Sequence, residues 1–189
     1  MKIEIKNLSK AFGEKEVLNN LNLTVEDGER FALMGKSGSG KTTLINCILG
    51  LEDYDGEIIF SKTPVPKTVL QENVLFENFT VFENIKAVGN FSKDEILKHL
   101  RLLDIEDEID TYVRDLSGGM KRKVAIVRAV IYPGNLFIMD EGVREVDEDS
   151  KELIYNYINE NVKETMVFAT HSTEDVERLN GKVLSLDYI

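Results

Sequence analysis

The chain has 189 residues, 42% of them hydrophobic, enough to fill the core of one domain with at most a small lobe. Three prolines and 13 glycines exclude a disordered or fibrous chain. Asp and Glu outnumber Lys and Arg by 34 to 23, a formal charge of −11, and such a surface repels nucleic acid unless basic residues gather on one face.

In chain order, "MKIEIKNLSK" has no apolar stretch of the kind a signal peptide carries, and "KIEIKNL" alternates like a strand. "VLNNLNLTV" reads as strands around a turn, and "ERFALMG" as an apolar strand running into a glycine loop. Helix propensity begins at "KTTLINCILG". Its Cys47 is the one cysteine, which excludes an internal disulfide, fits a reducing cytosol and reads as a small core residue. "DGEIIFS" and "KTVLQ" are short strands. From Val81 to Val113 the pattern turns helical, as in "SKDEILKHLRLLD", where Ile96, Leu97, Leu100 and Leu103 share a face and His99 is a partly exposed helix residue. "MKRKVAIVRAVIY", the most basic run, is a helix, "NLFIMDE" a strand, and "DEDSKELIYNYINENV" a helix with Leu153, Ile154, Tyr157 and Ile158 at core spacing. "TMVFATHS" and "KVLSLD" close the chain as strands around a short helix. Strands alternating with helices predict a mainly parallel α/β sheet, interrupted by an inserted helical lobe between about Thr80 and Leu116. No apolar run approaches the roughly 18 residues of a membrane span, so any membrane role is expected to come through a partner.

"GKSGSGKTT", Gly35 to Thr43, fits G-x-x-x-x-G-K-[ST] after an apolar strand and at the start of a helix. The glycines let the backbone curl with its N–H groups inward, and the helix adds its positive N-terminus. The candidate phosphate-binding residues are Gly35, Ser37, Gly38, Ser39, Gly40, Lys41, Thr42 and Thr43. Lys41 can reach the β- and γ-phosphates, and the Thr42 hydroxyl can ligate Mg²⁺. Such a loop also needs a carboxylate at the end of a neighbouring strand. "LFIMDEG" offers Asp140 for the metal and Glu141, facing another way, for an attacking water.

"LSGGMKRKVAIVRA", Leu116 to Ala129, starts a second anion-binding helix, with Ser117 as its N-cap and Gly118 and Gly119 opening the backbone amides. Between the phosphate loop and "LFIMDE", this run resembles the signature of ABC-type ATPases, and the resemblance covers nearly the whole chain. It implies an α/β P-loop NTPase fold, with a RecA-like core, an N-terminal antiparallel β subdomain and a short inserted helical subdomain. The expected division of this single 1–189 domain gives 1–79 and 117–189 to the β subdomain and core, and about 80–116 to the helical part. The resemblance further implies adenine stacking on Phe12, and a role for Gln71 of "VLQEN" at the metal or water. It implies a D-loop at "REVD" with Asp147, and a γ-phosphate contact from His171 of "FATHS". Glu141, His171, Lys41 and Gln71 are then the catalytic set, and Thr42, Gln71 and Asp140 the metal set. The implied cofactors are ATP and Mg²⁺. The implied partners are a transmembrane permease and a second ATPase copy, whose Ser117 to Gly119 close over the γ-phosphate in a head-to-tail dimer. The expected location is the cytoplasmic face of the membrane, peripheral through the permease, and no nucleic acid partner is expected.

In wording the chain is most similar to ATPase subunits of nitrate, sulfonate and taurine importers. It departs from the family in a compressed Lys41–Gln71 segment, in a short helical lobe, in ending soon after His171, and in carrying Gly142 where the family has proline. Proline would fix the backbone φ, whereas glycine is expected to free the loop that carries the base. That departure keeps open a regulatory module that binds ATP with little turnover. A non-transport ABC ATPase acting on DNA or ribosomes is the remaining alternative.

Overall fold

The computed structural model describes residues 1–143 and 146–186. Its elements run β1 (Ile3–Phe12), β2 (Lys15–Val25), β3 (Arg30–Met34), α1 (Lys41–Ile48), β4 (Asp55–Phe60), β5 (Pro66–Val69), α2 (Val81–Lys86) and α3 (Lys93–Arg101). Then follow α4 (Gly118–Ile131), β6 (Leu136–Asp140), α5 (Glu148–Asn161), β7 (Thr165–Thr170), α6 (Thr173–Arg178) and β8 (Lys182–Ser185). Two sheets form. One is antiparallel with the order β2-β1-β4, and the other has the order β5-β6-β7-β3-β8 with every pair parallel.

The turn expected inside "VLNNLNLTV" is absent, and β2 is one continuous strand. Asn20 takes φ 48 where the β1–β2 register slips, and its N–H donates to Ser9 Oγ at 2.8 Å. Asn7, at φ 51, marks a second slip and donates to Asn22 Oδ1 at 3.0 Å. Asparagine enters the left-handed region more readily than most residues, so the side chain that signals a turn here makes a bulge. The bulges keep Ile3, Ile5 and Leu8 of β1, and Leu18, Leu21 and Val25 of β2, all in the core.

β6 and β7 are buried along their whole length, which explains their unbroken apolar runs. Their alternating side chains feed two cores. Leu136, Ile138, Val167 and Ala169 pack with Leu44, Ile45, Cys47 and Ile48 of α1 and with the antiparallel sheet. Phe137, Met139, Met166 and Phe168 face α4, α5 and the helices between β5 and α4. Burial pushes the Cys47 thiol pKa up, as suits a core residue.

The helical stretch is more broken than its periodicity predicts. α2 and α3 are separate, each started by a capping box, Thr80 with Glu83 and Ser92 with Glu95. Single 3₁₀ turns follow at Glu106–Glu108 and Val113–Asp115. Ile96, Leu100 and Leu103 are buried, while Leu97 is only partly so. His99 is half-buried, with Nδ1 2.7 Å from the Tyr157 hydroxyl. Among the described residues, no helix is long and apolar enough to cross a membrane.

Candidate functional site

β3, β7 and β6 are neighbours in the parallel sheet, so the loops leaving their carboxyl ends meet at one edge. The glycine loop leaves β3, Glu141 follows β6 and His171 follows β7. In the loop, Gly38 and Gly40 take φ 82 and 96. Gly40 is constrained twice, because a Cβ there would lie 3.0 Å from Leu18 Cδ2 and 3.2 Å from the Val17 carbonyl oxygen. Lys41 is buried, and its Nζ donates to the carbonyls of Gly35 at 2.7 Å and Lys36 at 3.0 Å, closing the loop on itself. Helix α1 has no side-chain cap and no acidic residue in its first turn, so its leading amides remain open to an anion.

Strand alternation puts Asp140 on the α1 side of β6, with Leu136 and Ile138. There the Thr42 hydroxyl donates to Asp140 Oδ2 at 2.7 Å. Burial raises the Asp140 pKa above the usual carboxylate range, and the Thr42 hydrogen bond opposes the shift. Glu141 turns away at φ 48, with its N–H on the Ala169 carbonyl at 3.0 Å and its Oε1 3.8 Å from His171 Nδ1.

Phe12, Ser37, Gly38, Gly40, Lys41, Thr42, Thr43, Gln71 and Glu141 line one cavity of about 420 Å³. An adjoining cavity of about 270 Å³ lies between Glu141, His171, Thr170, Ser172, Asp175 and Lys151. The sequence-predicted phosphate and carboxylate residues therefore converge, with Gly35 and Ser39 in the loop wall and Asp140 behind Thr42. The Ser39 hydroxyl is buried and has no hydrogen-bond partner among the described residues.

Residues 18–144, well over half of the chain, match the family model described as ABC transporter. The chain belongs to the ABC transporter family.

It is 30% identical to the spermidine/putrescine import ATP-binding protein PotA of Haemophilus ducreyi, over 98% of this chain and 55% of that protein. It is 31% identical to the Nod factor export ATP-binding protein I of Cupriavidus metallidurans, over 98% of this chain and 68% of that protein. A solved structure titled "Structure of ATP binding subunit of ABC transporter" superposes with a TM-score of 0.86 at 26% identity, over 99% of this chain and 86% of that one. The chain thus spans about half the length of the first of these relatives. Their names cover import and export, and they do not single out nitrate, sulfonate or taurine importers. Membership of the ABC family implies ATP binding.

The other residues expected from the resemblance stand outside both cavities. Ser117 caps α4, its Oγ accepting the Met120 N–H at 3.3 Å. A Cβ at Gly118 or Gly119 would meet open space, and neither residue has positive φ, so the fold of this chain does not itself require glycine at either position. Asp147 caps α5 through the Ser150 N–H at 2.9 Å, a bond that lowers its pKa. Arg144 and Glu145 of "REVD" lie outside the described residues. Gly142 corrects an expectation. Its φ is not positive, and it packs so closely on buried Met139 that a Cβ would overlap that side chain unless the methionine shifted.

Sequence reasoning missed Arg122. Its guanidinium is buried and donates to the Leu70 carbonyl at 2.6 Å and the Gln71 carbonyl at 2.8 Å, fixing the turn that carries Gln71. The available signal was its helical register with Ala125 and Ala129, small residues three and seven positions on, which leave space for a long side chain.

Proposed function

We propose that this chain binds ATP with Mg²⁺ in the 420 Å³ cavity and hydrolyses it to drive transport through a membrane permease. The observation that carries this reading is the 2.7 Å Thr42–Asp140 hydrogen bond, which couples the phosphate loop to the tip of β6. Two hard oxygen donors beside an open cavity suit Mg²⁺, which takes its remaining ligands from phosphates and water. Thr42 and Asp140 would hold the ion, with Gln71 at the rim. When bound, it would offset charge on the phosphate oxygens.

The side chains then divide the work. Lys41 exchanges the Gly35 and Lys36 carbonyls for phosphate oxygens. The carboxylate of Glu141 accepts a proton from, or orients, the attacking water. His171, within 4 Å of Glu141, donates a hydrogen bond to the γ-phosphate. Phe12 is half-exposed at the rim and stacks on the adenine. The open surroundings of Gly118 and Gly119 favour a head-to-tail second copy, whose signature helix closes over the nucleotide.

The names of the relatives support a transporter subunit. In this reading the 80–116 segment is a helical subdomain that docks on the permease, with Gln71 as its hinge. Tyr112 within it, and Val74, Phe76 and Phe79 in the stretch between Gln71 and it, are exposed and supply apolar contact. The permease would hold the chain at the cytoplasmic membrane face. The test is Glu141→Gln, assayed by phosphate release and by fluorescent-nucleotide binding. We expect turnover to fall about 10²–10³-fold with binding retained and a nucleotide-dependent dimer promoted. Turnover at the wild-type rate in this variant removes Glu141 from the catalytic role.

A further inference from the structure

A side-chain network in the wall of the Glu141–His171 cavity takes no part in the roles above. Thr170, the last residue of β7, is buried, and its hydroxyl donates to Asp175 Oδ2. The same hydroxyl oxygen accepts the Ser172 N–H at 3.0 Å. The second Asp175 oxygen, Oδ1, accepts the hydroxyl of Tyr155 on α5 at 2.6 Å. Burial, reinforced by the Asp175 carboxylate, raises the Tyr155 pKa, so the phenol stays protonated and remains a donor.

His171 stands between the two residues that this network ties down. Its imidazole is 67% exposed, so its position is set by the backbone turn rather than by packing around the ring. Asp175 lies in the first turn of α6, where a carboxylate is favoured by the free helix amides. Here both of its oxygens receive hydroxyls from other elements, and the N-cap Ser172 makes no side-chain cap bond. A carboxylate given up by its own helix to grip β7 and α5 points to a role at the turn between them.

We propose that Asp175, with Tyr155 and Thr170, is a positioning residue that clamps the turn carrying His171 and holds the imidazole opposite Glu141. The inference rests on the ATPase reading given above. It requires that His171 be misplaced when the clamp is opened, while the nucleotide-binding loop on β3 is untouched.

The test uses Tyr155→Phe, which removes a single oxygen, beside Asp175→Asn. The chain has two histidines, so the imidazole spectrum by NMR contains two sets of signals, His99 and His171. In both variants the His171 signals shift or broaden while those of His99 hold. In steady state, kcat falls about tenfold or more, as expected for a displaced catalytic group, with nucleotide affinity within about twofold of wild type. Unchanged His171 signals in Tyr155→Phe overturn the clamp, and so does an unchanged kcat despite shifted signals. If Asp175→Asn does not fold, Tyr155→Phe alone decides. A wild-type protein that binds ATP without turnover refutes the ATPase reading instead, and the histidine signals still decide whether the clamp exists.

Discussion

Gly142 packs against Met139, three residues earlier, so closely that a Cβ would overlap the methionine Sδ and Cγ. Met139 is 2% exposed on the β6 face opposite α1, so admitting a Cβ means repacking a buried side chain. Between them Glu141 holds φ 48, a conformation disfavoured before proline. Gly142→Ala is therefore expected to destabilise the fold by about 1–3 kcal/mol through overpacking. Gly142→Pro should be worse, since it also pushes Glu141 out of the left-handed region. Adding Met139→Ala to Gly142→Ala should recover part of the loss. Urea denaturation measures this, and equal midpoints for wild type and Gly142→Ala refute it.

Asp140 carries a conflict between stability and metal binding. Burial raises its pKa, so the folded chain holds this proton more tightly than the unfolded one. Ionisation of Asp140 then weakens the fold increasingly as pH rises from about 4, the unfolded aspartate value, through the raised folded value. Asp140→Asn keeps the size and an acceptor for Thr42 but removes the charge. It should melt higher than wild type at pH 7, with the advantage shrinking toward pH 4. Mg²⁺-dependent nucleotide binding should weaken about 10–100-fold. A lower melting point than wild type at pH 7 contradicts the first expectation.

These arguments rest on different kinds of information. "GKSGSGKTT", "LFIMDE" and "FATHS" were legible because each is a contiguous string at a strand end, and parallel strands bring such ends together. The apolar runs of β6 and β7 marked them as strands, whereas the two cores that their faces feed are visible only in the fold. Asn20 was misread because its tolerance of positive φ serves bulges and turns alike. Gly142 was misread because a family comparison reports which residue is missing, not that Met139 fills its space. Arg122 and Asp175 escaped notice because their partners are remote in sequence or silent in any motif, such as Leu70, 52 residues away, and Tyr155, 20 away.

Asn84 anchors the segment after Gln71. The residue is fully buried, and its Oδ1 accepts the Phe76 N–H at 2.8 Å while Nδ2 donates to the carbonyls of Phe76 and Thr80, both at 3.0 Å. This ties down the loop that presents Phe76 and Phe79, whose rings lie 5.2 Å apart. Asn84→Ala leaves those backbone groups without their partner and should destabilise by about 2–3 kcal/mol. Hydrogen exchange should show the Phe76 amide losing protection before the sheet does. Retained protection at Phe76 means that the loop is held by something else.

Arg122 links two parts of the proposed machinery. It lies one turn into the helix that Ser117 caps, and its two terminal nitrogens grip the carbonyls of Leu70 and Gln71. Through these two bonds a movement of the Ser117 end of α4 would be expected to reach the turn that places Gln71 at the cavity rim. Arginine suits this task because its planar fork donates to two carbonyls at once, whereas lysine offers a point charge on a flexible stem. Arg122→Lys keeps the charge but loses the paired geometry, and should destabilise by about 1–2 kcal/mol. Arg122→Met leaves both carbonyls without the guanidinium and should destabilise by about 2–3 kcal/mol. If the link acts on Gln71, turnover should fall in the order wild type, Lys, Met, while nucleotide affinity changes little. Parallel measurement of kcat, affinity and unfolding midpoint separates this from general loss of structure. A drop in stability at unchanged kcat would reduce Arg122 to a packing residue, because the Gln71 turn would then keep its function without it.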